Sequence, residues 1–437
     1  MIFNFLRTLI ELIPIDSKII SLVIFVATYI SLLVFTNKRM YIALSAGLVF
    51  IILGILPIDK IYETLNLNVL LLLLGVMGIV SLFIESRMPA YLGDVIISKM
   101  PNVKWTIIAL SLFSGLISAF VDNVATVLMV APIAITICKK LKISPVLSII
   151  AIAISSNLQG AATLIGDTTS ILLASEAKMN FFDFFIYNGK LGMFWIIQVS
   201  AIATMFFFLF IFRRENAKVE SNSFEKVNSY FPTILLVANM ILLIITSFID
   251  NKPELTNGLI SVVLLVIGLV YKYFKTKDAK SVLNTVKEID YVTLLILAGI
   301  FMIIGGISNV GIIEDIAKLI AKLSSNKIVI YIIVVVISML LSGVIDNIPY
   351  VAAMLPVMTN LAGILNINPA LLYFGLIAGA TLGGNLTPIG ASANIAGLGI
   401  LKKEGYDVSA KTFMKISVPF TLLAVAVGSI LIYIVYC

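Results

Sequence analysis

Two carboxylates stand inside long apolar stretches, Asp122 within 105–138 and Asp346 within 327–363, and each is followed by an asparagine, Asn123 and Asn347. An ionisable side chain at the centre of a bilayer costs about 2.5–3.5 kcal/mol even on the lenient insertion scale, so it usually faces a cavity, a partner or a bound ion. The chemistry such acids serve is binding of a small cation or a proton, with Na⁺ as the metal that Asp122 and Asp346 would hold. Helix capping is the plainer reading, since Asp is a favoured N-cap and a second half-helix begins directly after each pair. Ser118 and Ser342 lie four residues earlier, on the same helical face as each aspartate, where a hydroxyl either adds a ligand or merely packs as a small residue.

Two further segments carry polar groups into apolar runs. The first reads Gly160-Ala-Ala-Thr163-Leu-Ile-Gly166-Asp167-Thr168-Thr169-Ser170. The second reads Gly383-Gly384-Asn385-Leu-Thr387-Pro388-Ile-Gly390-Ala-Ser392-Ala-Asn394. Unwound backbone at membrane depth is tolerated only where it is buried or lines a cavity. Its half-helix N-termini suit an anionic or polar ligand, and the exposed carbonyls at the opposing ends suit Na⁺. The cation set expected is therefore Ser118, Asp122, Asn123 and Gly166 in one half, and Ser342, Asp346, Asn347 and Gly390 in the other. Asn123, Thr163, Asp167, Thr168, Asn347, Asn385, Thr387, Pro388 and Asn394 are the expected cradle for the transported species. Asp167 has Ala391 as its counterpart, which marks it either as specific to cargo or coupling ion or as an exposed helix-start residue. These segments hold three interior acids and no Lys or Arg, a balance that requires a cation or protons.

The elements that must position these residues follow from composition. The chain has 437 residues, of which 60% are hydrophobic and 12% charged. That is half the charge of an ordinary soluble domain, and apolar runs long enough to cross a bilayer recur throughout. The fold class is an all-α polytopic membrane protein whose partner is the lipid bilayer. Ten crossings are expected at about 18–36, 40–57, 67–84, 144–173, 189–212, 230–248, 257–271, 290–308, 368–398 and 411–434. The stretches 105–138 and 327–363 are too long for one crossing and read as re-entrant hairpins. Lys99 and Lys104 before the first hairpin, and Lys139, Lys140 and Lys142 after it, then share the cytoplasmic face. Lys38-Arg39, Arg213-Arg214, the run 272–280 and Lys402-Lys403 fall on the same face, which leaves both termini outside; Lys318, Lys322 and Lys327 flank the second hairpin against the rule. The net charge of +7 is explained by these loops rather than by nucleic acid. Cys138 and Cys437 offer neither disulfide framework nor metal spacing, and the absence of histidine removes His-based relays and nucleophile pairs. No enzyme activity and no cofactor beyond the coupling ion is expected. Arg7 and the first apolar run read as an uncleaved N-terminus.

An internal repeat organises the chain. A gapless shift of 224 residues aligns Ser118-x-x-x-Asp122-Asn123 with Ser342-x-x-x-Asp346-Asn347, Pro132 with Pro356, Pro145 with Pro369, Gly160 with Gly384, and Thr163-x-Ile165-Gly166 with Thr387-x-Ile389-Gly390. Over 118–171, 15 of 54 positions are identical, and more than half of these are polar, Pro or Gly, which shared hydrophobicity would not produce. Five crossings separate equivalent points, so the second copy is inverted. The first repeat is expected over 18–212, with a scaffold at 18–100 and a hairpin-and-transport part at 105–212. The second is expected over 230–434, divided into 230–308 and 327–434.

The stretches "SAFVDNVATVLMVAPI", "GAATLIGDTTS", "SGVIDNIPYVAAMLPV" and "GGNLTPIGASANI" resemble the ion transporter superfamily, in the branch of ArsB arsenite permeases, NhaD-type Na⁺/H⁺ antiporters and the melanosomal P protein. The divalent anion/sodium symporters are more distant. The resemblance covers nearly the whole chain. It implies a homodimer in the cell (inner) membrane whose transport parts move elevator-fashion against a scaffold. In the symporters a Ser-Asn-Thr triplet at each tip binds sodium and carboxylate. Here the triplets read Asp122-Asn123-Val124 and Asp346-Asn347-Ile348, which adds Val124 and Ile348 to the substrate-side positions and moves the likeness away from dicarboxylate binding. The function expected is cation-coupled (H⁺ or Na⁺) secondary transport of a small anion or oxyanion. Na⁺/H⁺ antiport is the alternative, and a passive anion channel fits closed tips and buried acids less well.

Overall fold

The computed structural model describes residues 16–141, 143–218 and 224–437. Arg7 with the expected N-terminal run, and Lys142, lie outside the described residues.

The spans begin with α1 (Ser17–Val34), α2 (Arg39–Ile52) and α3 (Leu67–Glu85), followed by a short α4 (Met88–Ser98). The first hairpin is α5 (Val103–Ser118) and α6 (Asn123–Lys140). The first broken crossing is α7 (Val146–Gly160) and α8 (Thr168–Glu176), and α9 (Met193–Ile211) follows. The second half runs α10 (Phe231–Ser247), α11 (Thr256–Thr276), α12 (Ala279–Lys287), α13 (Tyr291–Asn309) and α14 (Ile312–Ala321). It continues with the hairpin α15 (Lys327–Ser342) and α16 (Asn347–Leu365), the broken crossing α17 (Pro369–Gly383) and α18 (Ser392–Lys403), and α19 (Ala410–Tyr436). Strand among the described residues is limited to the ribbon Ile186–Tyr187 with Lys190–Leu191, and nine helices there are long and apolar enough to cross a membrane.

The crossings 144–173 and 368–398 are each broken into two half-helices, as their sequences lead one to expect. Two differences from the expected spans have local causes. The crossing expected at 40–57 ends as helix at Ile52, just before Gly54, which takes a left-handed φ of 69°. The short helices α4, α12 and α14 occupy stretches read as loops. Left-handed residues, Arg87 at φ 59° and Gly311 at φ 77°, turn the chain sharply out of α3 and α13 into α4 and α14. In α14, Ile312, Ile313 and Ala317 are buried while Glu314 and Lys318 are exposed. The lysines that seemed to break the positive-inside rule thus lie on or beside an amphipathic helix.

The 224-residue shift reappears in element bounds and contacts. It carries Leu67–Glu85 onto Tyr291–Asn309 without remainder. It carries Asn102, whose side chain caps α5, onto Asn326, which caps α15. Pro132 and Pro356 interrupt α6 and α16, and a prolyl ring disturbs the preceding turn. The carbonyl of each proline accepts a side-chain bond from an equivalent residue, Thr136 Oγ1 and Asn360 Nδ2, both at 2.9 Å.

Packing crosses between the halves. α3 lies against α11, and α13 against α2. Gly75 and Gly299, again 224 apart, are where these backbones meet. A Cβ on Gly75 would stand 2.4 Å from the Ser261 carbonyl carbon, and one on Gly299 2.4 Å from that of Ala43. Small residues permit such close approach between membrane helices. The middle of the molecule is α7 and α17, in which Ser148–Gly160 and Ala370–Gly383 are buried at every position. A helix apolar on all sides belongs in an interior, and these two carry the broken ends.

Candidate functional site

Both Asp-Asn pairs sit where two helices meet. Asp122 Oδ1 accepts from the backbone N–H of Val124 at 3.0 Å and of Ala125 at 3.5 Å. Asp346 Oδ1 accepts from Ile348 N–H at 3.3 Å. Each aspartate is therefore an N-cap, and in each the second carboxylate oxygen is left for other partners. At Asp346 that partner is Arg39, whose Nη1 donates to Oδ2 at 2.9 Å. The sequence places Arg39 in a loop on the charged face, and the interiors of the hairpins and breaks contain no Lys or Arg. The first residue of α2 instead reaches the second tip, so the two tips differ in charge. Among the described residues Asp122 has no such ion pair.

Behind each tip, three backbone carbonyls converge on a glycine of the break. A Cβ on Gly166 would lie 2.6 Å from Gly160 O, 2.8 Å from Ala119 O and 2.9 Å from Ser118 O. A Cβ on Gly390 would lie 2.6 Å from Gly384 O, 2.9 Å from Ser342 O and 3.0 Å from Gly343 O. The two sets are equivalent under the 224 shift. Thr163 and Thr387 donate their hydroxyls to Ala119 O and Gly343 O, and Ser170 and Asn394 bond the carbonyls of Gly160 and Gly384. These bonds satisfy carbonyls that the broken helices leave without intrahelical donors. The hydroxyls of Ser118 and Ser342 are buried beside these sets without hydrogen-bond partners, an uncommon condition for buried polar atoms. Each break thus packs a glycine against the carbonyls of its hairpin tip, closer than any side chain would allow.

A buried chain of amides and hydroxyls joins the tips. Asn123 Nδ2 donates to Asn157 Oδ1 at 2.9 Å. Asn157 Nδ2 donates to Thr381 O at 2.9 Å and to Asn385 Oδ1 at 3.1 Å. The Thr381 and Thr169 hydroxyls lie 2.9 Å apart, Thr169 donates to Asp167 Oδ2 at 2.8 Å, and Asn347 Nδ2 reaches the same oxygen at 3.4 Å. Asp167 is only 8% exposed and makes no capping bond to its own helix. The exposed helix-start reading of Asp167 is thereby corrected: its carboxylate is turned into the interior, toward Thr169 and Asn347.

A cavity of about 530 Å³ opens between these elements and the faces of α3 and α13. Asn123, Val124, Asp167, Thr168, Asn347 and Ile348 of the expected substrate positions line it, with Asp122. Thr163, Asn385, Thr387, Pro388 and Asn394 do not. The polar side chains among them turn back to the broken helix ends and to Ile154 O, where hydrogen bonds hold them. Pro388 is half-buried in the break itself. They shape the site from behind rather than from its wall. The wall also carries Glu288, Asp290 and Thr293, which the sequence reading did not name, and Ser81, whose hydroxyl donates to Glu288. Asp290 caps α13 through Thr293 N–H at 3.0 Å. Its mate under the repeat is Asn66, the cap of α3, and that equivalence is the signal that could have found it. The lining therefore holds four carboxylates and no Lys or Arg.

Broken membrane helices, paired polar tips and a midpoint cavity define a polytopic membrane transporter. The fold is similar to that of the Alcanivorax borkumensis YdaH transporter, with TM-score 0.60 and 16% identity over 89% of this chain and 88% of that one. It is similar also to that of Neisseria gonorrhoeae MtrF, with TM-score 0.55 and 16% identity over 93% and 84%. The chain belongs to the citrate transporter family CitMHS, whose model matches residues 23–379, and so falls within the expected superfamily. An uncharacterized transporter of Mycobacterium tuberculosis, Rv2685, is 28% identical over 96% of this chain and 99% of its own. The P protein of Mus musculus is 25% identical over 95% of this chain and 60% of its own. By its family and the names of its relatives the chain is a transporter and not an enzyme.

Proposed function

We propose that this protein is a cation-coupled secondary transporter that moves a small anion or oxyanion against a Na⁺ or H⁺ gradient. The observation that carries the reading is a cavity lined by four carboxylates and no Lys or Arg, with Asp122 of the first tip among them. Acids at membrane depth need a cation or protons to be tolerated. A bound cation then supplies the positive charge that the acid-lined cavity lacks, and an anion enters beside it. The description of the family as citrate transporters supports a carboxylate cargo.

On this reading the two halves are inverted repeats. The spans up to residue 100 and those of 230–308 serve as scaffold, and 105–212 with 327–434 form the moving part of an elevator. The Lys-rich run 272–280 lies beside the Glu288–Asp290 side of the cavity, so the conformation described is open to the cytoplasm of a bacterial cell membrane. Both termini are then extracytoplasmic, and two copies pair through their scaffolds.

The four carboxylates of the lining favour a second reading, Na⁺/H⁺ antiport, in which the acids exchange cations and no anion is carried. Purified protein in proteoliposomes separates the two. Uptake of labelled citrate, phosphate or arsenite driven by an imposed sodium or pH gradient supports coupled anion transport. A sodium-driven pH change in the absence of any of these anions, with no anion uptake, supports antiport and removes the first reading.

A further inference from the structure

The second tip contains a charge arrangement that the repeat does not supply. Arg39 Nη1 binds Asp346 Oδ2 at 2.9 Å, while its Nε donates to Leu32 O at 3.1 Å at the end of α1. Under the 224 shift Arg39 corresponds to Val263, an exposed apolar residue. Tyr29 of α1 donates its hydroxyl to Pro349 O at 2.8 Å, so α1 and α2 both touch the second tip. The ion pair lies in a narrow cavity of about 50 Å³, whose lining shares Thr293, Ile348 and Ser392 with the main cavity. Of all the side chains lining the two cavities, Arg39 is the one cation. The charged and titratable groups that face the pair are Tyr29 from α1, Asp290 before α13, and Asp122, Asp167 and Glu288 across the adjoining cavity.

We propose that Arg39 recognises the anionic cargo by exchanging partners: its guanidinium leaves Asp346 for an oxyanion of the cargo, and the freed Asp346 takes a coupling cation. This deepens the function proposed above and rests on it. A guanidinium fork suits a carboxylate or another oxyanion equally well, so the pair it makes with Asp346 is a stand-in for the pair it makes with cargo. The exchange couples the two ligands by itself. If the anion alone bound Arg39, Asp346 would be left unpaired in a site where its side chain is only 22% exposed; if the cation alone bound Asp346, Arg39 would be. Either intermediate carries the penalty of an uncompensated charge, and only joint binding avoids it. Positive cooperativity between cargo and cation follows without any further contact between them.

Equilibrium binding of [¹⁴C]citrate and of [³²P]phosphate to the full chain in lipid nanodiscs tests this. The discriminating condition is choline chloride at alkaline pH, where neither sodium nor protons are supplied. There the wild type binds weakly, and Asp346→Asn is expected to bind at least tenfold more tightly than wild type, because Arg39 has lost its competitor. Arg39→Gln is expected to weaken anion binding in sodium by about thirtyfold or more, the size of loss seen when one member of a buried charged pair is removed; Arg39→Lys should recover part of it. An Asp346→Asn protein that binds no better than wild type in choline overturns the proposal even if Arg39→Gln fails to fold. So does an Arg39→Gln protein with wild-type affinity. A wild type that binds neither anion under any condition removes the anion-transport reading, and this inference falls with it. Wild-type binding with either variant result above removes this inference alone.

Discussion

The glycines of the two breaks give the most direct test of how the breaks pack against the hairpin tips. In Gly166→Ala the new methyl would meet three backbone oxygens at 2.6–2.9 Å, and in Gly390→Ala at 2.6–3.0 Å. Side-chain carbons essentially never approach heavy atoms below 3.0 Å. These oxygens belong to the broken ends and to the last turn of each hairpin helix, so they have no flexible side chain to swing aside. Overpacking of this kind costs about 1–3 kcal/mol. Gly363→Ala and Gly399→Ala serve as controls, because a Cβ there meets nothing within 4 Å. Both lie in helices, where alanine gains up to about 1 kcal/mol over glycine. Unfolding in mixed micelles reads all four variants. Gly166→Ala and Gly390→Ala proteins as stable as the controls would refute this close packing of break against tip.

Three further outcomes are expected. Asp122→Asn should keep its cap, since asparagine caps as well as aspartate, and lose ion-coupled accumulation in proteoliposomes; accumulation at the native rate would reduce that acid to a cap. Asn157→Leu should cost at least about 2 kcal/mol in the same unfolding assay, because Asn123, Thr381 and Asn385 each lose a buried partner and one orphaned group alone costs about 1–3 kcal/mol. Wild-type stability would mean that the amide chain contributes nothing. Joint Glu288→Gln and Asp290→Asn substitution should weaken sodium binding several-fold at low ionic strength and much less at high salt, because exposed charges act through a screened field; equal loss at both salt levels would place them in direct contact with the ion.

The polar residues of the breaks and tips were legible in the sequence because apolar surroundings make each one costly. Ser118, Asp122, Gly166 and their mates announced themselves by type, spacing and repetition. What stayed hidden had either no such cost or the wrong context. Arg39 sits next to Lys38 at a span boundary, where positive charge is ordinary, and nothing local says that it turns inward to Asp346. Glu288 and Asp290 were not named, because acids at a span boundary are just as ordinary. Thr163, Thr387 and Asn394 were rightly seen as polar but assigned to the cavity wall. Periodicity gives the face of a regular helix, and these residues lie where the helix has ended, so their direction depends on which carbonyls need donors. Asn157, an amide in an apolar run, was not singled out, and the two groups it donates to are over 200 residues away in the other half.

The comparison of the two halves separates roles that neither half separates alone. Residues kept under the 224 shift are the serines, the tip Asp-Asn pairs, the threonines that hold the breaks and the glycines packed against the tips. A spherical cation can be bound by two equivalent sites, so this set is what duplicated cation sites require. An organic or oxyanion cargo bound once, between the halves, has no reason to respect the repeat. It must meet positions where the halves differ. Those positions are Asp167 against Ala391, Asn157 against Thr381, Val124 against Ile348, and Arg39 against Val263. Asp167, Val124 and Ile348 face the main cavity and Arg39 the adjoining one. Specificity should therefore change with substitutions at these unequal positions, whereas substitutions at the conserved pairs should change ion coupling. An exchange of Val124 and Ile348 between the tips should alter the ranking of anions taken up while leaving sodium stabilisation intact. Loss of sodium response with an unchanged anion ranking would show that the division by symmetry is wrong.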